Sequence, residues 1–131
     1  MTVTIAPETL PATSGIHWHR TCRLDDLETC WGEAALVQGR QLALFRTSAA
    51  QVYAVDQRDP ATGAYVMARG IVGSIGARPT IASPLHKEVY LLATGECLSD
   101  PNLSLPTYPV RIEDGEVLVG LAAAVAGGVA G

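Results

Sequence analysis

Three cysteines and three histidines are the side chains of this sequence best suited to hold a metal: Cys22, Cys30, Cys97, His17, His19 and His86. By type, two thiolates and two imidazoles suffice for a closed four-ligand site. Their spacing supplies no such site. His17 and His19 lie two apart, which puts both rings on one face of a predicted strand and lets them chelate an ion. No Cys-x-x-Cys and no third carboxylate ligand stands nearby, so they read as two surface histidines near a strand start. Cys30 precedes Trp31 and Cys97 precedes Leu98, with no flanking histidine or cation to activate a thiolate. Both read as inert, half-buried thiols. Three cysteines cannot all pair within the chain, and reduced thiols point to a cytoplasmic protein.

Other groups could act as acid, base or phosphate cradle. Asp56 and Asp59 flank Arg58 just before Pro60. Paired carboxylates can move protons, but without a partner histidine or metal these are expected to cap turns and pair with Arg58. Gly70, Gly73 and Gly76 form G-x-x-G-x-x-G, which is neither a dinucleotide fingerprint nor a P-loop. They read as turns needing positive φ or as points of close backbone approach.

The elements that must position these groups are short and punctuated. A length of 131 residues is that of about one domain. With 48% hydrophobic and 17% charged residues it is not a disordered chain. Nine Lys and Arg stand against thirteen Asp and Glu, without a basic patch, which argues against nucleic acid as partner. Met1 to Gly15 lacks a basic segment followed by an apolar one, so it reads as a loose arm and not as a signal peptide. The apolar end from Val117 falls short of the ~20 residues that span a bilayer. Residues 16–120 form the predicted folded body, and 121–131 an Ala/Gly-rich tail.

Within the body, frequent turn residues between short apolar runs predict an all-β fold. Tyr108–Glu113 and Glu116–Leu121 flank Asp114-Gly115, a preferred type I′ turn, which pairs Ile112 with Val117 and Val110 with Val119. Glu113 then opposes Glu116, a mild repulsion. Glu33–Gln38 and Gln41–Thr47 flank Gly39-Arg40, which as a type II′ turn pairs Val37 with Leu42 and Ala35 with Leu44. A turn at Ala49-Ala50 leads into Gln51–Val55. Residues 56–88 are rich in glycine and proline and are expected to be packed loops, an inserted subdomain held by Tyr65, Val66, Met67, Ile71, Val72 and Ile75.

The stretch Ser83-Pro84-Leu85-His86-Lys87-Glu88-Val89-Tyr90-Leu91-Leu92-Ala93-Thr94-Gly95 resembles the second ligand loop of Rieske iron–sulfur proteins, C-P-x-H-G-x-x-F-x-L-x-T-G. In that family each of two loops supplies one cysteine and one histidine to a [2Fe–2S] cluster. Matched by position, Ser83 and Asp59 stand where the cysteines belong, Ala61 where the first histidine belongs, and only His86 is kept. Alanine cannot ligate, and Ser and Asp offer hard oxygens where soft thiolates are needed.

Together with Asp59-Pro60-Ala61-Thr62-Gly63-Ala64, Arg69-Gly70-Ile71-Val72-Gly73 and Pro106-Thr107-Tyr108-Pro109-Val110-Arg111, this pattern resembles the small subunits of assimilatory NADH-dependent nitrite reductases. The resemblance covers residues 16–120. It implies a Rieske-like antiparallel sandwich or barrel whose inserted subdomain covers about 56–88. It implies no cofactor and no catalytic residue in this chain, with flavin, siroheme and iron–sulfur centre on a large subunit as partner. Asp59, Ala61, Arg69, Ser83, His86 and Lys87 become degenerate ligand positions and a contact surface. Two other readings predict different behaviour. A Rieske-type ferredoxin with unusual ligands would carry iron. An autonomous small-molecule-binding β-barrel would show an apolar pocket.

Overall fold

A computed structural model describes residues 16–85 and 88–122. The loose arm and most of the tail, like His86 and Lys87, lie outside the described residues. Ten strands run as β1 (Ile16–Arg23), β2 (Gly32–Val37), β3 (Arg40–Ser48), β4 (Gln51–Asp56), β5 (Ile71–Ile75), β6 (Arg78–Ala82), β7 (Val89–Leu91), β8 (Thr107–Tyr108), β9 (Val110–Glu113) and β10 (Glu116–Ala122). They form three antiparallel sheets, β1-β10-β9, β2-β3-β4-β8 and β5-β6-β7. The all-β expectation holds.

The sequence of β3 explains the layering. Leu42, Ala43, Leu44 and Phe45 are all buried, so this strand is covered on both faces. Leu42 and Leu44 join Val117, Val119 and Leu121 of β10 in one core. Ala43 and Phe45 face the other way and join Met67, Ile81, Tyr90 and Leu92 in a second. Alternation along a strand sends successive side chains to opposite faces, so one apolar run serves two cores. The four-stranded sheet is therefore the middle layer.

Local chemistry fixes most registers. Val117 pairs with Ile112 and Val119 with Val110, as the Asp114-Gly115 turn requires. The opposed Glu113 and Glu116 are each neutralised by arginine: Arg111 reaches Glu113 at 2.8 Å, and Arg20 and Arg23 reach Glu116 at 3.4 and 3.6 Å. Arg111 also stacks over Trp18, 5.0 Å from the ring centre. Ala49-Ala50 makes the turn between β3 and β4, with Ser48 opposite Gln51.

Two expectations need correction. The β2–β3 turn is Gln38-Gly39, not Gly39-Arg40, so Val37 pairs with Arg40 and Ala35 with Leu42. Gln38 at φ 51 and Gly39 at φ 79 make a type I′-like turn. The pairing slips by two residues, which leaves every side chain on its expected face. Residues 56–88 are not merely packed loops either, because they carry β5 and β6, and Val89–Leu91 completes their sheet. Of the side chains expected to pack them, Met67 is buried, but Tyr65, Ile71 and Ile75 are 54%, 70% and 54% exposed.

One polar side chain ties the middle sheet to the chain leaving β1. Arg46 donates to the carbonyl oxygens of Leu24, Leu27, Ser48 and Ala49, at 2.7 to 3.2 Å. Two of its acceptors, Leu24 and Leu27, lie on the segment that follows β1.

Candidate functional site

At one end of the β5-β6-β7 sheet, two loops meet. The first leaves β4 and holds itself in a tight turn. Asp59 N–H donates to Ala64 O, Gly63 N–H donates to Asp59 O, and Ala61 N–H donates to Asp59 Oδ1 at 2.9 Å. Aspartate bonding the amide two residues on is a common turn device. The second loop leaves β6. Ser83 N–H donates to Glu88 O, and Leu85 N–H donates to Ser83 Oγ at 3.2 Å. The loops are joined by Ser83 Oγ donating to Asp59 Oδ2 at 2.7 Å. Asp59 is 0% exposed and Ser83 2%.

Neighbouring segments brace this junction. Gln57, buried, accepts Met67 N–H on its backbone oxygen and Ala68 N–H on Oε1. That seats the 3₁₀ turn Met67–Arg69. Gly70 lies flat against the carbonyl of Ala82, where any Cβ would collide. Arg69 is thereby carried, exposed, to the same end. Nothing about Gln57 in the sequence pointed to this bracing role.

Tyr90 of β7 is fully buried, and among the described residues its hydroxyl has no hydrogen-bond partner. Burial first, then the nearby Cys97, Asp59, Glu88 and Asp100, push its phenol well above the ordinary range.

The other sequence candidates separate. His17 and His19 lie on β1, in the opposite outer sheet. Asp56 accepts from Tyr108 Oη at 3.3 Å, and neither it nor Asp59 forms the expected pair with Arg58 among the described residues. Cys97 is buried and Cys30 exposed, where both were expected to be half-buried; all three thiols are free. Gly76 takes φ 63 at the β5–β6 turn, and Gly73 lies within β5. Among the described residues, no three His, Cys, Asp or Glu side chains converge as metal ligands. No helix among them is long and apolar enough to cross a membrane.

The donor set at the loop junction does not fit a [2Fe–2S] cluster. Asp59 and Ser83 spend their oxygens on each other and on loop amides, and Ala61 ends in a methyl group. Iron–sulfur clusters of this kind need soft thiolates at two of these positions.

The sequence profile of the Rieske-like [2Fe–2S] domain matches residues 17–120. The NADH nitrite reductase small subunit of Salmonella typhimurium is 36% identical over 101 residues, covering 76% of this chain and 94% of that one. The nitrite reductase large subunit of Klebsiella oxytoca is 36% identical over 110 residues, which are 84% of this chain but 11% of that one. A crystal structure from Mycobacterium tuberculosis, described as an NADH-dependent nitrite reductase small subunit, superposes with a TM-score of 0.79. It is 41% identical, over 82% of this chain and 97% of that one. The chain belongs to the Rieske-like [2Fe–2S] domain family, within the group of NADH-dependent nitrite reductase small subunits.

Proposed function

We propose that this chain is the non-catalytic small subunit of a cytoplasmic assimilatory nitrite reductase, which reduces nitrite to ammonium with NADH. It associates with a large subunit, which carries the flavin, siroheme and iron–sulfur centre, and supports or regulates it. The observation that carries this reading is the Ser83–Asp59 hydrogen bond at the place where the family pattern puts two cysteines. A cluster carrier needs ligands there; a subunit that only docks needs a firm loop end. The occurrence of a similar domain within a Klebsiella large subunit supports the choice of partner.

The loop end, with the exposed Arg69 and Ala61 beside the buried Asp59–Ser83 pair, is the proposed contact region, to which the sequence adds His86 and Lys87. For the small-molecule reading, the cleft of ≈ 440 Å³ beside Val52, Tyr53, Leu92 and Tyr108 has mixed polar and apolar walls rather than a predominantly apolar lining. The cleft of ≈ 320 Å³ lined by Gln38, Gly39, Arg40, Gln41, Asp56 and Tyr65 is walled largely by polar groups.

The deciding experiment is co-expression with a nitrite reductase large subunit, followed by co-purification at moderate salt and metal analysis of the separated small subunit. A stable complex with an iron-free small subunit is the expected result. Iron in the anaerobically prepared small subunit would establish the ferredoxin reading instead. Two folded chains that never co-purify would reject the partnership.

A further inference from the structure

The loop end combines three features that together suit a docking surface. Ile71 opens the edge strand β5 with 70% of its surface exposed, and Leu85 is 51% exposed. They lie on adjoining segments, since Ile71 pairs with Ala82 and Leu85 N–H is bound by Ser83 Oγ. Large apolar side chains exposed together cost free energy unless something covers them.

Charge is the second feature. Arg58 and Arg69 are both exposed on the loops that border this pair, and neither has an ion-pair partner among the described residues. The whole chain has a net charge of −4. A local basic rim on an acidic protein is the form of an electrostatically steered contact.

Third, the loop end is pre-organised. Asp59 and Ser83, being buried, cannot themselves touch a partner, and their mutual bond instead fixes the loops that carry the exposed groups. A surface held rigid before binding loses less entropy on docking.

We infer that Ile71 and Leu85 form the apolar centre, and Arg58 and Arg69 the basic rim, of the surface on which the nitrite reductase large subunit docks, through an acidic-rimmed apolar patch of its own. This rests on the small-subunit reading. The relatives support this occupant: several are named small subunits of nitrite reductase, and one large subunit matches this chain over part of its own length.

The test is binding of the full chain to the purified large subunit, for the wild type and for Ile71→Glu, Leu85→Glu and the pair Arg58→Glu/Arg69→Glu. Leu36→Glu is the control, because Leu36 is 72% exposed on β2, a strand of the middle sheet. Thermal melts confirm that each variant is folded. A charge placed in the apolar centre is expected to weaken binding at least tenfold, with the control unchanged. The arginine reversal is expected to weaken binding at low salt and to flatten its salt dependence.

If the wild type binds and the Ile71 and Leu85 variants bind equally well, this surface is wrong while the partnership stands. If the folded wild type does not bind, the partnership itself fails. Equal loss from Leu36→Glu places the contact elsewhere. A wild-type chain that dimerises alone, and becomes monomeric on Ile71→Glu, makes a second copy the occupant and overturns the inference.

Discussion

Ser83 Oγ donates to Asp59 Oδ2 at 2.7 Å, joining positions 24 apart in sequence with both side chains inside the protein. Removing one member leaves either Asp59 Oδ2 without its donor or the Ser83 hydroxyl without its acceptor, inside the protein. Ser83→Ala is expected to cost about 2 kcal/mol, within the usual range for a buried bond to a carboxylate. Asp59→Ala loses the Ala61 amide contact as well and is expected to cost more. The double variant should cost less than the sum, because the shared bond is lost only once. Urea midpoints for the three variants, at unchanged slope, check this; strict additivity would mean the two residues act independently.

The same two positions, together with Ala61, test the kinship with cluster-bearing proteins. Asp59→Cys, Ala61→His and Ser83→Cys together restore a C-x-H and C-x-x-H pattern with His86. The triple variant, reconstituted anaerobically, is expected to take up iron and sulfide and to absorb in the visible range, and the wild type treated alike to do neither. Iron analysis with a visible spectrum reads the outcome. A triple variant that folds but stays colourless would show that the loops no longer hold ligand spacing.

Tyr90 predicts an effect of opposite sign. Its hydroxyl is buried without a partner, so Tyr90→Phe removes an unsatisfied group and is expected to stabilise by about 1 kcal/mol. The variant also alters the alkaline limit. The unfolded phenol loses its proton at about pH 10, whereas burial keeps the folded one protonated beyond that. Above pH 10 the unfolded state therefore binds fewer protons, and stability falls as pH rises. Tyr108, also raised chiefly by burial, adds to the fall with the same sign. Denaturation curves from pH 8 to 11 should show a shallower decline for Tyr90→Phe than for the wild type.

At the β2–β3 turn, Gln38 occupies a left-handed conformation at φ 51 that asparagine tolerates better. Gln38→Asn is expected to raise stability by about 0.5 kcal/mol, read as a higher melting temperature. An unchanged or lower melting temperature would count against a strained turn.

Much of this was legible in the sequence where local chemistry decides. Asp114-Gly115 set a register by itself, because a two-residue turn leaves only one pairing for the valines and isoleucine around it. Gln38-Gly39 did not, since the adjacent Gly-Arg offers a competing turn and the strain on Gln38 has no sequence mark. The β5 strand was hidden because Gly73 interrupts its apolar run and its isoleucines face outward, the reverse of what packing leads one to expect. Gln57 acts on backbone atoms distant in sequence, and Arg46 joins its neighbours Ser48 and Ala49 to the distant Leu24 and Leu27, so their own surroundings do not announce these links. The loop junction was partly visible. Ser83 and Asp59 stood out as replacements for cysteine, but that they bond to each other required the fold.

The pairing of β1 with β10 lay beyond any local signal, and it has a consequence for gene architecture. Ile16 stands opposite Ala122, so the first and last described residues leave the domain side by side. A unit whose ends meet can be spliced into or onto a longer polypeptide by a short tether, without disturbing its interior. Being carried on a separate gene or as a segment of a larger reading frame is then structurally equivalent. The Klebsiella large subunit, which matches this chain over 11% of its own length, is compatible with such a splice.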